Sequence, residues 1–170
     1  LAELDLTEKS LAKELDSRLG YVEQTKGQRF YIAIDSAKKR FYFNYGDDIV
    51  RETAVQIGPP ASVRSADGRS WTFVPLRGEF PIEDKLVGMD WRVSSWLYAM
   101  RGEPEPSERP VIKDGLGKYV IVLPNNYIIH SPPPPDSPLQ WPKPGSFMVP
   151  EEDLAAIWPR LDGATRVFVF

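Results

Sequence analysis

The stretch that decides the fold is residues 119–130, YVIVLPNNYIIH. Two apolar runs rich in β-branched and aromatic residues flank a short polar segment, a pattern typical of two strands joined by a tight turn. Asn125 and Asn126 tolerate the backbone conformation that such a turn demands. We therefore predict strands over 119–123 and 127–130, and the second strand ends at the only histidine of the chain, His130.

A stiff segment leads from His130 to a serine sixteen positions later. Seven prolines fall within residues 132–144 and favour an extended loop, which ends at the sequence GSF of residues 145–147. The acidic run EED at 151–153 suits the positive end of a helix dipole, so we predict a helix over 150–158. A hydroxyl needs a neighbouring base before it attacks a carbonyl, and imidazole is the base best suited to neutral pH. His130 and Ser146 are therefore candidate catalytic residues.

The remaining pattern predicts a mainly β protein with a few helices. Strands are expected over 30–34, 40–45 and 50–57, arranged as an antiparallel meander, and over 166–170 at the end of the chain. Small and polar residues at 61–70 favour an exposed turn, and residues 101–110 have the composition of a loop. Residues 89–100 show mixed spacing and receive no assignment. Leucines at helical spacing predict one N-terminal helix over 4–19, packed on the domain or docked on a partner.

The composition of the chain disfavours or excludes several classes of function. The net charge is −3, with 21 basic and 24 acidic residues, so no strong positive field attracts nucleic acid. The longest apolar run, residues 119–123, is far below the roughly 20 residues that a membrane span needs. Cysteine is absent, which excludes thiol catalysis and thiolate metal sites in this chain. With one histidine and no acidic cluster of suitable spacing, we expect neither a metal nor another cofactor.

The order of these elements resembles the L,D-transpeptidase catalytic domain of the bacterial enzymes that cross-link peptidoglycan. The residues that carry the resemblance are IAID at 32–35, RGEF at 77–80, the strand end IHS at 129–131, the run EEDL at 151–154 and GATRVFV at 163–169. It covers roughly residues 28–170 and implies an L,D-transpeptidase-like β-sandwich with a helix after the site motif. Residues 1–27 are then an N-terminal helix and linker.

The resemblance also implies roles for individual residues. His130 matches the first histidine of the family site, and Gly145 and Ser146 fall on the glycine and the nucleophilic cysteine of its Ser-His-Gly-Cys-x-Arg motif. The implied site therefore has His130 and Ser146 at catalytic positions, with Gly145, Ser131 and Trp141 lining the substrate region. Trp141 lies in the proline-rich loop, where its ring could stack on a sugar or a stem peptide.

Three neighbouring positions depart from the family pattern. Pro144 stands in place of the second histidine, Met148 in place of the arginine, and Ser131 where glycine follows the first histidine. An alcohol in a site shaped for a thiolate is a poor nucleophile. No carboxylate is identified that would orient His130, because Asp136 has the features of a solvated loop residue.

Three functions stay open. In the first, an envelope protein binds peptidoglycan stem peptides at a degenerate site with little or no catalysis. In the second, an active enzyme uses Ser146 with His130 for acyl transfer or peptide hydrolysis. In the third, the domain is a scaffold for an envelope protein partner. The family implies export to the periplasm or cell envelope, and a chain that begins at Leu1 without methionine leads us to expect an upstream signal peptide or anchor.

Overall fold

The computed structural model describes residues 29–170, which form two five-stranded sheets and two short helices. In spatial order, the first sheet contains β3 (Asp48–Ala54), β2 (Arg40–Tyr45), β1 (Phe30–Asp35), β14 (Arg166–Val169) and β7 (Gly78–Pro81). The second contains β4 (Gln56–Ile57), β13 (Ser146–Met148), β12 (Ile128–His130), β11 (Tyr119–Val122) and β8 (Asp84–Val87). The helices are α1 (Ser95–Arg101) and α2 (Glu151–Ile157). The predicted mainly β architecture is confirmed, while the helix predicted over 4–19 lies outside the described residues.

Two small β-ribbons complete the structure. One pairs β5 (Ala61–Arg64) with β6 (Ser70–Phe73), and the other pairs β9 (Trp91–Arg92) with β10 (Val111–Ile112). Single 3₁₀ turns are formed by Pro124–Asn126 and Trp158–Arg160. Neither helix within residues 29–170 is long and apolar enough to cross a bilayer.

The main core lies between the two sheets. Alternate residues of β1, β2 and β14 meet alternate residues of β11, β12 and β13, as strand pleating requires. Each fully buried aliphatic or aromatic side chain contributes roughly 1.5–3 kcal/mol relative to exposure. The buried members from these six strands are Ile32, Ile34, Phe41, Phe43, Val167, Val169, Ile121, Ile129 and Phe147.

The α2 helix closes one side of this core at the position predicted from the acidic run. Leu154 and Ile157 point into the core, and Pro150 is the residue before the first helical turn. Asp153 is buried and accepts a hydrogen bond from Arg51 Nε at 2.6 Å, which links α2 to β3. The predicted helix over 150–158 is thus confirmed, one residue shorter at each end.

A second apolar cluster covers the opposite face of the second sheet. Val120 of β11 contributes to it because its side chain points away from the neighbouring core residue Ile121. The proline-rich loop contributes Leu139 and the β9 strand contributes Trp91. The remaining buried members are Val93, Leu97 and Leu116. This layer encloses the strand ends that carry His130 and Ser146.

In two parts of the chain the structure differs from the predictions, and in a third it defines elements where none was predicted. The single strand predicted over 50–57 is two strands, because the chain leaves the first sheet at Val55 and β4 pairs with β13 of the second. The exposed turn predicted over 61–70 is a hairpin in which β5 packs against α1. The unassigned stretch 89–100 supplies β9 and most of α1. Local patterning could not reveal these features, since each depends on a partner distant in sequence.

Candidate functional site

His130 and Ser146 lie on neighbouring parallel strands and face the same side of the second sheet. Ile128 is opposite Ser146, and His130 is opposite Met148. Side chains two residues apart point to the same face of a strand, so His130 and Ser146 both point away from the main core. With strands about 4.8 Å apart and a rise of about 3.3 Å per residue, their Cα atoms are separated by about 8 Å.

The imidazole of His130 is fully buried and is oriented by backbone groups. Its Nδ1 lies 2.7 Å from the carbonyl oxygen of Ser131 and 3.1 Å from that of Leu116. Both neighbours are acceptors, so we assign the proton to Nδ1 and leave Nε2 with a free lone pair. Two carbonyls therefore take the place of the orienting carboxylate that the sequence did not identify.

Burial keeps this imidazole neutral. It lowers the pKa of His130 to about 4, and the positive charge of Lys143 acts in the same direction, against the opposing effect of the two carbonyls. The Cα partner of His130 on the neighbouring strand is Met148, which is buried and carries no charge. At neutral pH the site therefore contains an uncharged base.

The Ser146 hydroxyl is not bonded to this base. Its Oγ donates to the carbonyl oxygen of Lys143 at 2.6 Å, and the same carbonyl accepts the backbone N–H of Ser146 at 3.1 Å. The buried Nε2 of His130 has no hydrogen-bond partner within residues 29–170. The structure thus places the imidazole and the hydroxyl on one face but directs the hydroxyl proton elsewhere.

Ser131 and Gly145 support the two strand ends. Ser131 is fully buried, and its Oγ accepts a hydrogen bond from the backbone N–H of Tyr119 at 3.0 Å. Gly145 has φ +79° and lies beneath the ring of Phe73, where an added Cβ would approach Cδ1 to 2.9 Å. Their assignment to substrate binding stays a prediction, and their contacts with Tyr119 and Phe73 lie within the protein.

A cleft of about 850 Å³ opens beside Ser146. Its lining includes the half-buried rings of Trp71 and Trp96 and the buried ring of Trp91, together with many polar side chains. Lys143 and Ser146 belong to the same wall. A smaller cavity of about 260 Å³ also borders Ser146, Gly145 and Phe73. Ser146 thus lines two cavities although only 3% of its surface is exposed.

Trp141 lies in the proline-rich loop, beside Lys143. It is half-buried against the second apolar cluster, and its ring centroid is 5.2 Å from the ammonium nitrogen of Lys143. It does not border the 850 Å³ cleft, whose aromatic walls come from tryptophans that would ordinarily be assigned to a core. A role for Trp141 in ligand binding stays a prediction. Asp136 is exposed in the loop, as expected.

Lys143 is the site residue that sequence reasoning missed. It lies three positions before Ser146 and is 2% exposed, although lysine is almost never fully buried without a partner. A lysine between two prolines in a segment that also contains Trp141 was the available signal. No group of three His, Asp or Glu side chains that could hold a metal ion occurs in the part of the chain that the structure describes.

Comparison with known proteins gives matches only at the level of three-dimensional structure. Neither a protein-family model nor a curated protein matches the sequence. The L,D-transpeptidase of Xylanimonas cellulosilytica superposes with a TM-score of 0.56 at 19% identity, covering 86% of this chain and 62% of that chain. L,D-transpeptidase 1 of Mycobacterium tuberculosis gives 0.56 at 12% identity, covering 84% and 62%, and an L,D-transpeptidase from Mycobacterium smegmatis gives 0.54 at 13%, covering 85% and 59%.

The present chain spans about three fifths of the length of these solved chains. Identities this low are informative about architecture alone. Residues 29–170 therefore have an L,D-transpeptidase-like fold.

Proposed function

We propose that this domain binds peptidoglycan stem peptides in the cleft beside Ser146 and catalyses their acyl transfer slowly or not at all. The L,D-transpeptidase-like fold supports the ligand class, since similar solved structures are named L,D-transpeptidases and the family that the sequence resembles cross-links peptidoglycan. The hydrogen bond from Ser146 Oγ to the Lys143 carbonyl supports the loss of catalysis. A protein with this role would act in the bacterial envelope, after export to the periplasm or its equivalent.

The weakness of the nucleophile follows from its chemistry. A free thiol has a pKa of about 8.5 and is readily deprotonated by a nearby imidazole, whereas an alcohol gives up its proton only as it attacks. The attacking hydroxyl must therefore be hydrogen-bonded to its base. In this site the hydroxyl of Ser146 donates to a carbonyl at 2.6 Å, a strong competing bond.

An active acyl-transfer enzyme is the second candidate, and one observation favours it. The Nε2 lone pair of His130 is unprotonated and unpartnered among the described residues, on the same face as Ser146. A rotation of the Ser146 side chain would then allow Oγ to attack the carbonyl of the third stem residue while Nε2 takes its proton. The peptide bond to the fourth residue would break, and Nε2 would return the proton to the departing amine, which leaves an ester on Ser146. An acceptor amine or water would then take the acyl group from the ester, and the serine hydroxyl would be regenerated.

Mass spectrometry with a disaccharide-tetrapeptide separates these candidates. We expect the ligand to remain unchanged in mass and the protein to carry no adduct, while calorimetry detects saturable binding. A protein adduct, or a cross-linked or shortened peptide, that disappears in Ser146→Ala would instead establish the acyl-transfer enzyme. The absence of both binding and turnover would contradict the proposal and favour the scaffold function.

The position of the ligand can be read from tryptophan fluorescence. Trp96 borders the cleft, whereas Trp158 packs against Tyr119 and lies outside the cleft wall. We expect the emission change on adding disaccharide-tetrapeptide to decrease by about half or more in Trp96→Phe, because a ring on the binding surface carries much of the response. Trp158→Phe, the matched control, should keep the full change. An equal loss in both variants would place the ligand elsewhere.

A further inference from the structure

Lys143 is a buried cation in the wall of the cleft. Its ammonium nitrogen donates to the carbonyl oxygens of Leu139 at 3.0 Å and Trp141 at 3.5 Å. The ring centroids of Trp91 and Trp141 lie 5.6 Å and 5.2 Å from the same nitrogen. These contacts partly compensate for the lost hydration, but an ammonium carries three N–H donors and the described residues accept from two of them.

No acidic side chain of the part of the chain that the structure describes neutralises this cation. Lys143 forms no ion pair with any carboxylate of residues 29–170, and the charge that acts on it most directly is that of another cation, Arg101. Burial followed by this repulsion lowers the pKa of Lys143 to about 8. Lys143, which borders the cleft together with Ser146, therefore carries a charge that no carboxylate of residues 29–170 neutralises.

The other cations of the cleft are already paired. Arg69 contacts Glu105 at 2.6 Å and Asp67 at 2.9 Å, and Arg109 lies 3.4 Å from Glu105. Their charges are neutralised within the protein, so they offer little attraction to a ligand anion. Within the described cleft, Lys143 is the cation that lacks a counter-ion.

We propose that Lys143 binds a carboxylate of the ligand that enters the cleft, which makes it a specificity-determining residue. The inference rests on the proposed function, because a stem peptide supplies carboxylates and the aromatic walls would hold the rest of the molecule. A buried ammonium gains more from an anion than an exposed one does, since the surrounding medium screens their attraction less. Trp91, which lies against the ammonium and also borders the cleft, would then contact the same end of the ligand.

Calorimetry with two matched ligands tests the inference without any substitution. One ligand is the disaccharide-tetrapeptide, and the other is the same molecule with its carboxyl groups converted to carboxamides. We expect the wild-type protein to bind the amidated ligand at least about tenfold more weakly, because a hydrogen bond to a charged group is exchanged for a neutral one. Equal affinities for the two ligands would overturn the inference while leaving the proposed function in place.

The Lys143→Met variant tests whether Lys143 causes the difference in affinity between the two ligands. Methionine keeps an unbranched apolar chain between the tryptophans and removes the charge, so both ligands should bind with the weaker affinity and the ratio should fall to about one. Lys38→Met, which removes an exposed charge from the β1–β2 turn, should behave like the wild type. Lys143→Gln replaces the methionine variant if the latter does not fold. Retained discrimination in the Lys143 variant would overturn the inference, and failure of the wild type to bind either ligand would overturn the proposed function with it.

Discussion

Replacing Gly117 with alanine is expected to lower the free energy of unfolding by about 3 kcal/mol, the sum of a backbone penalty and a steric one. Gly117 has φ +77°, a conformation that alanine adopts at a cost. An added Cβ would also overlap the carbonyl oxygen and hydroxyl of Ser131 and lie 2.6 Å from its carbonyl carbon. Backbone atoms cannot rotate away as a flexible side chain can, so the strand end must shift.

A matched control separates these two penalties. Gly102 ends α1 with φ +67°, and an added Cβ there meets nothing within 4 Å. Gly102→Ala should therefore lose only the backbone term, about 1 kcal/mol. Chemical denaturation of both variants measures the difference. Similar losses in the two variants would show that the contact with Ser131 is unimportant.

This contact matters for the site because Gly117 is next to the residues that hold the imidazole. The carbonyls of Leu116 and Ser131 both accept from His130 Nδ1, and Ser131 is the residue an added Cβ would displace. The close approach therefore helps to keep in place a carbonyl that orients the imidazole. The positive φ that glycine adopts readily at position 117 therefore also matters for the position of the His130 imidazole.

Much of the fold could be predicted because its signals are local. The hairpin at 30–45 and the strands around Asn125 and Asn126 depend on β-branched alternation and on turn residues, and both asparagines do adopt positive φ. The helix after Pro150 depends on its acidic first turn. The break at Val55 could not be predicted, since it is determined by the pairing of Gln56 and Ile57 with β13, about ninety residues away.

The candidate site was predictable only in part. Residue order could predict that His130 and Ser146 lie in one region, because His130 ends a recognisable strand and Ser146 lies just before a recognisable helix. The direction of the Ser146 hydroxyl could not be predicted, because it depends on a carbonyl that the loop places within 2.6 Å. The burial of Lys143 likewise depends on Trp91, which is distant in sequence. Hydrogen-bond direction and burial are properties of packing, which residue order alone does not determine.

The protonation of His130 is expected to make the protein markedly less stable in mild acid. Its pKa is lowered by burial from 6.5 to about 4 in the folded state, while the unfolded chain keeps the ordinary value. Between these two pH values the unfolded state binds a proton that the folded state does not, so stability falls as the pH decreases through this range. The full stabilisation is present above pH 6.5, and about 3 kcal/mol is lost once the pH falls below 4.

Comparison with His130→Gln separates the contribution of His130 to the pH dependence of stability from that of carboxylates that titrate in the same range. Glutamine can donate an N–H to the Ser131 or Leu116 carbonyl but does not titrate, so its stability should decline less between pH 7 and pH 4. Denaturation at a series of pH values measures the difference. Because the chain contains a single histidine, its imidazole NMR signals can be followed without further assignment. A midpoint near 6.5, or parallel pH profiles for the two proteins, would contradict the prediction, because it would mean that the imidazole is open to water and contributes no pH-dependent stability.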